Sequence, residues 1–431
     1  MYERERPSKL LDRHRTLLLI LCIGILIRLF YATSTIGVES WGHYIFYRTV
    51  KDGHILDFYR FNLDDPLSIY VYGPVWMVTM IQYSWTDFHT PCDPCFWLFS
   101  RTPIIVADAL SFLLIYLIGQ KSNQAFLAST AFYLNPFTIL VGSARGSFDS
   151  IGCCLLLLSM FLISKGFHLF GSLTLALTML TKPYFYFAWP LLIVSMIRTE
   201  RDDALKIAGD SLLFLCLISM PFLLSTPNEY LDAILVRRKW GEGRTYALLR
   251  RPSSGLWYLI FQHRKEIAPL LRLPRLGSNF FDLWIPLAIG TLAILCIFLY
   301  LNPVRPLYRV IPLSASLFCL FASPINLPFL LFPLFATHLT IALEGGKRWA
   351  IYSLLIPLSL FGLHSLLGKT LDFLLLDDTL IAVSIVLWLS LELTSSIILR
   401  QDVYKTPPSH LEWRRGAHSK IQQQAVGERC V

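Results

Sequence analysis

Apolar residues fall along this chain in long runs, with little of the strand-like alternation of apolar and polar positions. Many runs approach the roughly 20 apolar residues that a bilayer-crossing helix needs. Candidate spans are residues 16–33, 69–85, 103–119, 125–141, 150–164, 167–180, 184–197, 207–224, 283–300, 310–321, 327–343, 350–367 and 380–399. The pattern predicts an all-α polytopic membrane protein with about 11–13 transmembrane helices. The segment at 69–101 reads as a re-entrant or half-crossing pair rather than two full spans, because thirteen crossings cannot leave both termini on one side.

Two segments interrupt the rhythm. Residues 34–68 mix aromatic and charged side chains (Trp41, His43, Tyr44, Tyr47, Arg48), which predicts interfacial helices in a first loop. Residues 225–282 form a long connection rich in arginine, and long connections are usually functional or disordered.

Composition sharpens this picture. The 431 residues are 55% hydrophobic and 16% charged, against about 25% charged in a soluble domain, and mean hydropathy is +0.54. Residues 1–431 therefore read as a single integral membrane domain. Basic residues before the first run hold the N-terminus in the cytosol, and residues 400–431 read as a cytosolic basic tail. Working back from that tail puts the loop at 225–282, the Arg145–Asp149 turn, the Lys182–Pro183 turn and the Ser323–Asn326 turn on the extracytoplasmic face, and the N-terminal charges put the loop at 34–68 there as well. The net charge of +9 is spread between apolar runs as topology determinants, so nucleic acid is excluded as a partner while membrane lipids are expected. Several of the nine cysteines lie inside apolar runs and read as small buried hydrophobes. Cys92 and Cys95 form a CxxC with no second pair, which specifies neither zinc nor redox chemistry.

On the shared face, Glu39 lies just beyond the first run, at the membrane surface. It reads as a general base for a hydroxyl; the plainer reading is a solvated acid. His43, four residues on, shares its face if the segment is helical, as a substrate-orienting group or an interfacial histidine. Arg145 and Asp149 sit between two apolar runs with almost no polar spacer, so they form either a structural pair or a substrate-binding one. Arg237, Arg238 and Arg244 suit a phosphate, which guanidinium groups neutralise in bidentate fashion. Tyr72, in the stretch from Tyr70 to Trp76, reads as a sugar-stacking or belt aromatic, and Asp108 as a buried structural acid. No nucleotide-binding or zinc signature is present, so neither a metal nor another cofactor is expected.

The order of these features resembles the GT-C superfamily of polyprenyl-phosphate-sugar-dependent glycosyltransferases, and within it the first mannosyltransferases of glycosylphosphatidylinositol synthesis and their prokaryotic relatives. The stretches that carry the likeness are Glu39–Gly53, Tyr70–Trp76, Asn135–Ser150, Asn228–Leu231 with its basic loop, and Ser323–Leu331. Glu39 stands where the family usually has aspartate, and no second acid stands at Gly37 or Trp41. The resemblance implies inverting transfer of a hexose, preferentially mannose, from a polyprenyl- or dolichyl-phosphate sugar to a lipid-linked or glycan acceptor. It also implies a place in the endoplasmic reticulum membrane of a eukaryote or the plasma membrane of a prokaryote, and it allows a small accessory subunit. The rival readings are a multi-span transporter or lipid flippase, disfavoured by the lack of an internal repeat, and a non-catalytic subunit of a glycan-assembly complex.

Overall fold

The computed structural model describes residues 7–34, 39–61, 73–83, 85–120, 122, 124–234, 260, 263–270, 284–301, 307–321, 327–344, 355–356 and 358–359. Among these the chain is mostly helical, with no strand. The expected sites Tyr72, Arg237, Arg238 and Arg244, the Ser323–Asn326 turn, most of the 225–282 loop and the 400–431 tail lie outside the described residues.

Helix α1 (Pro7–Ser34) leads into the short amphipathic α2 (Ser40–Lys51) and then α3 (Val75–Ile81). Next come α4 (Pro94–Ile118), α5 (Ala125–Tyr133), a bent continuation at Pro136–Ala144, α6 (Asp149–Ser164) and α7 (His168–Met179). The chain goes on through α8 (Ala188–Ile197), α9 (Arg201–Ser225), α10 (Pro227–Ile234), α11 (Trp284–Leu301), α12 (Val310–Phe321) and α13 (Leu331–Glu344). Helix α6 packs between α4 and α7, α1 lies on α4, and α13 closes against α5.

Local chemistry sets the boundaries. Asp93 caps α4 by accepting from the Cys95 N–H at 2.8 Å, and Pro94 occupies the first turn, where its missing N–H costs nothing. The helix therefore starts nine residues before the apolar run at 103–119, and Pro103 is accommodated inside it. Arg101 is buried within α4. There its Nη1 donates to the Ala32 carbonyl at 2.7 Å, at the end of α1. The expected span at 125–141 is broken: Asn135 caps a new start by accepting from the Phe137 N–H at 2.8 Å, and the two pieces meet at 42°. The expected span at 69–85 is also corrected, since α3 has only 7 residues, about 10 Å of helix. The shortness agrees with a half-crossing element.

Close contacts fix the bundle. Gly24 of α1 faces Tyr133, where a Cβ would lie 2.1 Å from the ring; a small residue here lets two helices approach closely. Arg28, one turn on, sits 4.1 Å above the same ring, and its Nε donates to Asp108 Oδ2 at 2.9 Å, with both side chains fully buried.

Among the described residues, three helical stretches are long and apolar enough to cross a membrane: Arg15–Ser34, Pro94–Ile118 and Arg201–Ser225. The bent pair Ala125–Tyr133 and Pro136–Ala144 is a fourth if taken as one broken span. Large apolar side chains face outward on α1 (Leu18, Leu19, Leu26, Phe30), α9 (Leu213, Leu217, Leu224) and α11 (Ile289, Ile294, Ile297).

Candidate active site

Three connections far apart in sequence meet at one place. The first follows α1 and carries Glu39. The second is the reversal between the bent helix and α6. It begins with a π-helical turn, Leu140–Ala144, and turns back at Gly146, whose φ of +79° is the left-handed conformation that glycine adopts without strain. The third is the turn after α7, where Lys182 precedes the 3-10 segment Pro183–Phe187.

Asp149 lies at the centre. It is fully buried in the first turn of α6, where the helix dipole favours a negative charge. Its Oδ2 accepts from Lys182 Nζ at 2.5 Å and from the Ser147 hydroxyl, and its Oδ1 accepts from the Tyr184 hydroxyl. Lys182 is 2% exposed and rests between two rings, 4.6 Å from the Phe148 centroid and 4.8 Å from that of Phe329. The buried ammonium is thereby held by one carboxylate and two aromatic faces.

Glu39, half-buried, shares this environment. Removal from water raises its carboxyl above the ordinary range. Lys182 pulls it back down, Asp149 pushes it further up, and Arg145 and the neighbouring Ser147 hydroxyl lower it again. One turn on in α2, His43 is buried against Trp76, ring centroids 4.6 Å apart. Burial, with help from the nearby Arg101 and Lys182 charges, drops its pKa to about 3, so the imidazole is neutral. Arg145 is half-buried beside Glu39, and its Nε has no hydrogen-bond partner.

Of the residues singled out from sequence, Glu39, His43, Arg145 and Asp149 therefore come together. The weighed Arg145–Asp149 pair is corrected: the partner of Asp149 is Lys182, and both carboxylate oxygens are taken by neighbours. Glu39 is no plain solvated acid, since burial and four neighbours act on it. Asp108 is structural as read, although its partner Arg28 was not anticipated. Ser147, Lys182, Tyr184 and Trp76 were not singled out either. Lys182 carried the same signal that drew attention to Arg145 and Asp149, an ionisable group wedged between apolar runs. Cys92 and Cys95 are exposed free thiols. Among the described residues no group of three or more histidine, cysteine, aspartate or glutamate side chains is arranged to hold a metal ion.

No protein-family model matches this chain, and a search of curated proteins gives no match.

Proposed function

We propose that this chain is an integral membrane glycosyltransferase that moves a hexose, preferentially mannose, from a polyprenyl-phosphate carrier to a hydroxyl of a lipid-linked or glycan acceptor. The observation that carries this reading is the burial of Glu39 against Lys182, Arg145, Ser147 and Asp149, contributed by three separate connections. A carboxyl whose pKa burial raises is a stronger base once ionised than a solvated one, which suits proton abstraction from a hydroxyl. The outward apolar faces of α1, α9 and α11 support a lipid environment.

In this reading Glu39 takes the proton of the acceptor hydroxyl as its oxygen attacks the anomeric carbon. The new carbon–oxygen bond forms on the face opposite the carrier, the bond to the phosphate oxygen breaks, and polyprenyl phosphate departs with configuration inverted. Asp149 holds Lys182 and does not touch substrate. Lys182 and Arg145 keep positive charge beside the reacting centre, where a departing phosphate gathers negative charge. Arg237, Arg238 and Arg244 are assigned to the same phosphate by their charge and by the connection that carries them.

The test is transfer by purified protein in lipid, supplied with radiolabelled polyprenyl-phosphate mannose or glucose and a lipid extract of its host. Product from either donor, lost by about 10²-fold or more in Glu39→Gln, supports the reading. No product from folded protein turns it toward a transporter, flippase or non-catalytic subunit.

A further inference from the structure

Two buried side chains beside the cluster carry polar atoms that it does not use. His43 is 2% exposed, and neither of its ring nitrogens has a hydrogen-bond partner. Trp76 is completely buried, and its indole N–H also lacks one. Native interiors leave few such atoms unsatisfied, and those that remain ask for an occupant. The rest of the Trp76 surface is engaged: one face meets His43, and the indole stacks on Phe148 at 5.0 Å and 9°.

The surroundings are built for close approach. The His43 N–H donates to the Glu39 carbonyl at 3.0 Å, so the imidazole stands one helical turn from the carboxyl. Opposite it is Gly146, where a Cβ would sit 3.3 Å from both His43 Cε1 and Arg101 Nε. Glycine is what lets this turn close on both groups.

We propose that His43 and Trp76, beside the Gly146 turn, form a subsite for adjacent hydroxyl groups of a sugar ring. A neutral imidazole offers one N–H donor and one bare nitrogen acceptor, and the indole adds a second donor. A hydroxyl both donates and accepts, so it matches this set, whereas the phosphodiester of a lipid-phosphate sugar only accepts and would leave the bare nitrogen unpaired. The neutral state of His43 follows from its burial beside Arg101 and Lys182. The ring belongs to the donor or to the acceptor, whose hydroxyls offer the same chemistry. Only the purpose of the subsite rests on the transferase reading.

Saturation-transfer NMR on the full-length protein in lipid nanodiscs, with methyl α-mannopyranoside as probe and dimethyl phosphate as competitor, tests this. The parent and Glu39→Gln are expected to bind the glycoside. His43→Phe, which keeps a ring against Trp76, and Trp76→Phe, which removes the indole N–H, should each weaken binding about tenfold. In transfer assays the same two variants should raise the half-saturating concentration of one substrate only, and which one rises identifies the source of the ring. Equal binding by parent and His43→Phe, or no binding by the parent, overturns the subsite and leaves a buried water as the occupant. Displacement by dimethyl phosphate overturns it in favour of an anion site. Binding that depends on His43 in a protein without transferase activity keeps the subsite and discards the enzymatic reading; transfer indifferent to His43 does the reverse.

Discussion

Lys182 Nζ lies 2.5 Å from Asp149 Oδ2, with the two side chains 2% and 0% exposed. Their ion pair joins the turn after α7 to the first turn of α6, and the Ser147 and Tyr184 hydroxyls also donate to the carboxylate. Glu39 feels both charges with opposite sign, so the pair holds the connections together and also sets the field at the carboxyl.

Removing one member of such a pair strands the other. Lys182→Met is expected to cost about 3–5 kcal/mol of stability, because the Asp149 carboxylate then stays buried without its cation. The double variant Lys182→Met/Asp149→Asn should recover much of that loss. Thermal unfolding in detergent measures both, and an additive double variant would refute the pairing.

Glu39 gives a pH dependence with a defined sign. Burial raises its carboxyl above the usual value of 4.5, and in the proposed transfer the base works only when ionised, so transfer should fall as pH drops through that raised value. Arg145 lowers the Glu39 pKa, so Arg145→Gln should move the acidic limb of the rate profile to higher pH. A limb that stays put, or moves to lower pH, removes Arg145 from the field at Glu39. The same shift bears on folding. A raised carboxyl contributes stability fully below the unfolded pKa and loses it as pH rises through the folded one. Glu39→Gln should therefore be no less stable than the parent at neutral pH, while losing turnover.

Much of this arrangement is legible in the chain itself. Most of the described helices fall on apolar runs, and Glu39, Arg145, Asp149 and Lys182, which the sequence expects on a shared face, meet in the structure. What stays hidden is partner choice. Asp149 has Arg145 four residues away, yet it pairs with Lys182 because the return through α6 and α7 carries that turn back beside it. The start of α4 is hidden for another reason: Asp93 and Pro94 specify it through capping, which hydropathy does not register. Arg101 then escapes notice because a buried arginine satisfied by helix-end carbonyls looks, in sequence, like one in a loop.

Arg28 and Asp108 form a second buried pair, 2.9 Å apart, between α1 and α4. Asp108→Ala is expected to destabilise the protein by about 3–5 kcal/mol, because Arg28 keeps its charge among apolar neighbours. Arg28→Met/Asp108→Leu, which removes both charges and fills similar volume, should unfold near the parent temperature. Since α1 leads directly into Glu39, the single variant should also lower transfer under conditions where it remains folded; unchanged transfer would separate this pair from the site.

Gly73 tests whether the position of Lys182 depends on backbone contact rather than on side-chain charge alone. A Cβ at residue 73 would lie 2.1 Å from the Leu180 carbonyl oxygen and 2.7 Å from its carbonyl carbon. Backbone cannot rotate aside as a side chain can, so Gly73→Ala must push α3 away from the turn that carries Lys182. Overpacking of this kind costs about 1–3 kcal/mol. Trp76 follows Gly73 by three residues and packs against both His43 and Phe148, so the displacement should reach the site. Gly73→Ala is therefore expected to lower both the unfolding temperature and the transfer rate measured well below it. Gly209→Ala is the control, since nothing lies within 4 Å of a Cβ there, and a helical alanine is favoured over glycine by about 1 kcal/mol. If Gly73→Ala behaves like that control, the close approach of α3 to the Lys182 turn is wrong.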